Sequence, residues 1–167
     1  AKLKDYIKVL VYTGGCSGWK NSAVSSQVNQ IYQVKDGKLV CLEPDMGDVS
    51  MTDPKTLTRF LNWCKEKYPA NRMDLIFWDH GGGSVSGYGY DQKYPRSGSM
   101  SLADIDQALK DCKISFDFIG FDACLMATME NGLMLAKYGD YMIASEETEP
   151  GYGWYYTDWL TKLAQDT

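Results

Sequence analysis

Apolar residues along the chain fall into short runs separated by glycine, proline and polar clusters, and two of those runs end in a chemically competent side chain. Ile7 to Tyr12 reads as a strand leading into the loop Thr13-Gly14-Gly15-Cys16-Ser17-Gly18. Gln30 to Val34 and Leu39 to Leu42 flank Lys35-Asp36-Gly37-Lys38, and Asp-Gly between β-type runs predicts a hairpin. Asp53-Pro54 opens a helix as cap and first-turn proline, with Leu57, Phe60, Leu61 and Cys64 as its apolar stripe and Tyr68-Pro69 as its stop. The run Asp74 to His80 reads as a strand that stops in the histidine. Gly81 to Ser99 is rich in Gly, Ser and Tyr, lacks periodicity, and reads as a long surface loop. Ser101 caps a second helix with Leu102, Ile105, Ala108 and Leu109 inward. A strand from Phe116 runs to Cys124. A helix follows with Met126, Met129, Leu133 and Ala136 on its apolar side, ending near Gly139. Tyr141 to Ser145 is a further strand, Glu146 to Gly153 a loop, and Tyr156, Trp159, Leu160 and Leu163 mark a last helix.

Strands alternating with helices predict an α/β fold, a three-layer α/β/α sandwich around a mostly parallel sheet. At 167 residues the chain reads as a single domain, 1–167. Both the His80 and the Cys124 run look like buried parallel strands emerging at the sheet edge. At that carboxyl edge α/β proteins assemble their sites. If the two strands are neighbours, a base and a thiol come out side by side.

Composition narrows the choice of chemistry. A net charge of −5 offers no basic stripe for nucleic acid, and no apolar run is long enough to span a membrane. The segment Ala1 to Tyr12 is charged and does not resemble the apolar core of a signal peptide. Five cysteines and one histidine contain no Cys-x-x-Cys pair and supply too few ligands for a zinc framework. Cys64 and Cys112 lie on apolar helix faces, where an inert buried thiol is the simpler reading.

Cys124 stands where a strand is expected to turn into a helix, whose N-terminus would favour a thiolate. His80 offers a proton carrier with an ordinary pKa near neutrality. Gly81 lets a main-chain N–H approach a substrate carbonyl, and the N–H groups of Gly81 and Cys124 together make an oxyanion hole. These residues describe acyl transfer through a thioester. Taken alone, each has a blander explanation, Cys124 as core packing and His80 as a turn residue; their matching contexts favour the site. A serine hydrolase of the His-Gly-Gly-Gly kind fails, because Gly-x-Ser-x-Gly and a later histidine are missing. A phosphate cradle at glycines 14–18 or 81–83 matches neither nucleotide-binding signature.

Asp79-His80-Gly81-Gly82-Gly83 after Leu75-Ile76-Phe77-Trp78, and Asp122-Ala123-Cys124-Leu125-Met126 after Phe118-Ile119-Gly120-Phe121, resemble the signature blocks of the clostripain-like cysteine peptidases. That family shares a clan with caspases, legumain and gingipains. Ile143 to Glu147 and Gly151 to Trp154 resemble its segment after the cysteine, so the likeness extends from Lys8 to Leu163. The resemblance implies a caspase-like fold, His80 as general acid/base, Cys124 as nucleophile, and Gly81 and Cys124 as oxyanion donors. It implies peptide or protein substrates cut after Arg or Lys, with Asp122, Glu146, Glu147 and Glu149 as the acidic binding residues. Tyr152 stands where some relatives carry a pocket aspartate. It also implies self-cleavage at Lys93 or Arg96, a secreted or cell-surface location on a bacterium, and calcium as a candidate cofactor. The family's catalytic domain is longer at both ends, which makes this chain a fragment completed by a second polypeptide. A catalytically silent interaction domain on the same fold is the alternative.

Overall fold

The computed structural model describes Leu3 and residues 5–166. Ala1, Lys2, Lys4 and Thr167 lie outside the described residues, and with them part of the lead-in Ala1 to Tyr12. The elements in chain order are β1 (Val9–Thr13), β2 (Gln30–Lys35), β3 (Lys38–Glu43), α1 (Pro54–Lys67), β4 (Asp74–Trp78) and α2 (Gly83–Ser86). Then come α3 (Leu102–Cys112), β5 (Phe116–Asp122), α4 (Met129–Leu135), β6 (Gly139–Ile143) and α5 (Tyr156–Asp166). They form two compact units, one of residues 1–49 with 154–167 and one of residues 50–153.

The first unit holds an antiparallel sheet in the order β1-β2-β3. The hairpin expected at Asp36-Gly37 joins β2 to β3. Both turn residues sit at positive φ, +50° and +73°, the geometry that matches strand twist in a two-residue loop. Ile31 and Tyr32 are the most buried side chains of the sheet. Helix α5 presents Tyr156, Trp159, Leu160 and Leu163 half-buried, as the spacing implied.

The second unit holds the parallel sheet β4-β5-β6 that the alternation pattern predicts. Asp53 caps α1 by accepting from the Lys55 N–H at 2.9 Å, and Pro54 opens it. Ser101 caps helix α3 as expected, Asp104 completes a capping box with it, and the helix buries Ile105, Ala108 and Leu109 completely. Strand β5 is the centre of the core, with Ile119 and Phe121 at 0% exposure. Burial also pushes the Cys64 thiol up to about 12, and all five cysteines are free. No helix among the described residues is long and apolar enough to cross a membrane.

Two expectations are corrected. The helix after Cys124 starts only at Met129, so Met126 packs in the core ahead of it while Met129 and Leu133 are 80% and 71% exposed. Residues 123–128 form a turn instead, which rotates the buried side of α4 onto Asn131 and Leu135. The stretch 81–99 is not a plain surface loop: it folds into α2, and Tyr88 pairs with both Gly81 and Met100. Tyr88 also packs edge-on against Phe77 and Phe121, which explains why this polar segment is ordered.

The rotated α4 is testable by denaturant unfolding. Leu135→Ala is expected to cost about 2–5 kcal/mol, and Leu133→Ala under about 0.5 kcal/mol. The expected stripe predicts the reverse order of loss.

Candidate active site

Strands β4 and β5 run in a register that pairs Phe77 with Phe121 and Trp78 with Asp122. His80 and Cys124 each stand two residues beyond that last pair, so the chains leave the sheet edge in step. Phe77 and Phe121 stack below them with ring centroids 4.8 Å apart.

Glycine at 81 lets the two chains close on each other. A Cβ there would lie 2.1 Å from the Cys124 carbonyl oxygen and 2.9 Å from the Met126 Cγ. On its other side, Gly81 pairs with Tyr88. The flanking bonds run from the Gly82 N–H to the Gly87 carbonyl at 2.9 Å and from the Gly89 N–H to the His80 carbonyl at 2.8 Å. The residue between two such bonds points its own N–H away from its partner strand. The Gly81 N–H therefore faces out of this hairpin.

Cys124 lies in the turn that precedes α4. Leu125 takes the left-handed conformation, φ +63°, strained for a side chain of its size. Its N–H donates to the Glu147 carbonyl at 3.0 Å, and the Ala127 N–H donates to the Ser145 carbonyl at 2.9 Å. These bonds bring the segment after β6 onto the cysteine, whose Sγ accepts from the Glu149 N–H at 3.2 Å. The expected helix N-terminus is not at Cys124. Thr128 caps α4 farther along, and a single main-chain N–H takes its place at the sulfur. Asn131, fully buried, donates its side-chain amide to the Met126 carbonyl at 2.8 Å and steadies the turn.

The expected acidic residues separate. Asp122 is only 3% exposed. A Cβ on Gly153 would fall 2.6 Å from its Oδ2 and 2.8 Å from the Trp78 Nε1, so the bare backbone of Gly153, at φ +70°, lies over that carboxylate. Glu149 is half-buried beside Cys124, whereas Glu146 and Glu147 are exposed. The two candidate processing residues also differ. Asp91, 1% exposed, accepts from the Lys93 and Tyr94 N–H groups at 2.8 and 2.9 Å on Oδ1 and from the Met51 N–H at 2.8 Å on Oδ2. Lys93 is thus held in a tight turn, while Arg96 is exposed in the 3₁₀ turn Pro95–Ser97.

Three contributors escape a reading of the sequence: Asp79, the Glu149 main chain and Asp91. Asp79 was visible beside the histidine, but its bonds depend on a loop eleven residues away. The other two leave no local pattern. Among the described residues no group of three or more His, Cys, Asp and Glu side chains could hold a metal ion. Both oxygens of the most buried carboxylate among the described residues, Asp91, accept main-chain N–H groups, so this carboxylate does not offer itself to a calcium ion.

The profile of the clostripain family matches residues 1–167. Clostripain from Hathewaya histolytica is 32% identical over 95 residues, 50% of this chain and 18% of that protein. The inactive zymogen of a C11 protease from Parabacteroides distasonis superposes with a TM-score of 0.66 at 28% identity, covering 87% of this chain and 40% of that one. A secreted C11 cysteine protease from Bacteroides thetaiotaomicron, solved with an irreversible peptide inhibitor, is similar in fold. Its TM-score is 0.69 at 24% identity, with 87% of this chain and 40% of that one covered. The chain thus spans well under half the length of these relatives.

Gly81→Ala tests the close approach. A methyl group against the Cys124 carbonyl is expected to cost about 1–3 kcal/mol in denaturant unfolding and to abolish reaction of Cys124 with a peptide-directed electrophile. Gly18→Ala, with nothing within 4 Å of its Cβ position, serves as the silent control.

Proposed function

The chain belongs to the clostripain family of cysteine peptidases, and on that premise we propose that it carries the dyad of an endopeptidase, with His80 and Cys124 as its reacting residues. The observation that supports this most is the in-step exit of β4 and β5, with Gly81 packed on the Cys124 carbonyl. In the proposed cycle the Cys124 thiolate attacks the scissile carbonyl, and the oxyanion accepts hydrogen bonds from the Gly81 and Cys124 N–H groups. Collapse breaks the C–N bond, His80 protonates the leaving amine, and a thioester remains. Water then attacks the thioester with His80 taking its proton, which releases the carboxylic acid and the thiolate. The Glu149 N–H donates to Sγ at 3.2 Å and so holds the sulfur in place before substrate binds.

Specificity for Arg or Lys before the scissile bond rests on Asp122, with Glu149 nearby and Glu146 and Glu147 at the rim. A substrate guanidinium is the planar cation that carboxylates bind in two-pronged fashion, which supports the basic preference. Residues 1–167 are then one part of a longer catalytic domain, completed by further polypeptide, in line with the 40% coverage of the solved relatives. Self-processing falls between the His80 and Cys124 blocks. Arg96 is the better site, since it is exposed whereas Asp91 pins the main chain of Lys93 and Tyr94. The description of the Bacteroides relative as secreted supports a secreted or cell-surface location.

An Arg acyloxymethyl ketone is expected to modify Cys124, located by mass spectrometry, and not to modify Cys124→Ala. His80→Ala should lower amide hydrolysis by about 10²–10⁴-fold. An unlabelled Cys124 in catalytically competent protein overturns the assignment, and equal turnover of Arg, Lys and neutral fluorogenic substrates removes the basic specificity. Active protein should be nicked after Arg96 on a gel, with Arg96→Ala uncut there.

A further inference from the structure

The His80 ring is exposed, and among the described residues it makes no side-chain hydrogen bond that would fix its direction. A catalytic imidazole usually relies on a third group bound to its second nitrogen. Here the restraint falls on the main chain. The His80 N–H donates to Asp79 Oδ1 at 2.7 Å, and the His80 carbonyl accepts from the Gly89 N–H at 2.8 Å. The other oxygen of the same carboxylate, Oδ2, accepts from the Tyr90 N–H at 2.9 Å. Both oxygens of Asp79 are therefore engaged, and the residues at 79–80 are bound to those at 89–90 through side chain and main chain together. The partner segment is itself firm. Gly89 sits at φ +87° with its Cβ position 3.0 Å from the Thr52 Cγ2, Tyr88 packs on Phe77 and Phe121, and the carboxylate of the next residue, Asp91, is buried.

We propose that Asp79 is the positioning residue of His80, acting as a two-oxygen acceptor that locks the histidine main chain to the 89–90 segment and so aims the imidazole at the leaving amine. This rests on the proposed role of His80. The chemistry needs an acceptor on each side, because both partners are N–H donors. An asparagine has nearly the same shape but turns an NH₂ toward one of those donors, so it cannot make both bonds. The isostere thus separates acceptor chemistry from packing.

The test uses the protein at its full native length and compares kcat/KM for an Arg aminomethylcoumarin amide with that for the matching Arg 4-nitrophenyl ester. The amide needs its leaving group protonated and the ester does not. Asp79→Asn and Asp79→Ala are expected to lower the amide value by about 10–100-fold, with the ester within about threefold of wild type. His80→Ala is expected to show the same selective loss, larger in size. If Asp79→Asn keeps the wild-type amide-to-ester ratio, or loses both substrates equally while its melting temperature holds, the positioning role is overturned. If His80→Ala hydrolyses the amide as wild type does, the fault lies with the assignment of His80 beneath it. Asp79→Asn preserves side-chain volume, so a failure of Asp79→Ala to fold leaves the comparison intact.

Discussion

The structure turns on one contact, the packing of the Gly81 backbone against the carbonyl of Cys124. A side chain of any size at 81 would collide with that oxygen, and the neighbouring constraints follow from keeping it. The strands must end at the same level, which the Trp78–Asp122 pairing ensures. The chain beyond β5 must then bend sharply away, which the left-handed Leu125 accomplishes. Below, two stacked phenylalanines fix the spacing of the strands that deliver both residues. A parallel sheet is a rigid frame of this kind because its hydrogen bonds set register residue by residue.

Main-chain groups do much of what side chains do in other sites. The sulfur meets a peptide N–H, the buried carboxylate of Asp122 meets the bare backbone of Gly153, and the histidine is held through its own amide and carbonyl. The two segments responsible, 81–91 and 145–153, are both loops, yet each is tied to the core at several points. Function on loops held by a stiff scaffold is the common arrangement in α/β proteins. What is specific here is that one loop reaches Cys124 while the other reaches His80.

Much of this fold was legible in the sequence because local physics decided it. Asp36-Gly37 dictated the hairpin, Asp53-Pro54 and Ser101 dictated helix starts, and the apolar runs into His80 and Cys124 dictated adjacent buried strands. The errors arose where tertiary bonds overrode local pattern. Met126, Met129 and Leu133 have helical spacing, but the bonds from Leu125 and Ala127 to the segment after β6 hold the first of them in a turn. The order in 81–99 comes from Tyr88 and Asp91 meeting distant partners, which no window of sequence contains. Likewise Asp122 was visible as an acidic residue near the cysteine, but its cover by Gly153 was not, since that depends on where a loop some thirty residues later returns.

The Tyr88–Met100 pairing gives the excursion between them a particular topology. Its two ends are fastened to each other and to the core, while Arg96 and its neighbours project outward. Opening a loop of this kind removes a covalent link without removing any of the contacts that hold its base. The half of the unit bearing the histidine and the half bearing the cysteine remain joined through the β4–β5 ladder and the aromatic stack. Connectivity and architecture are thus separable in this region: the chain could become two chains while the unit of residues 50–153 keeps its sheet and its core.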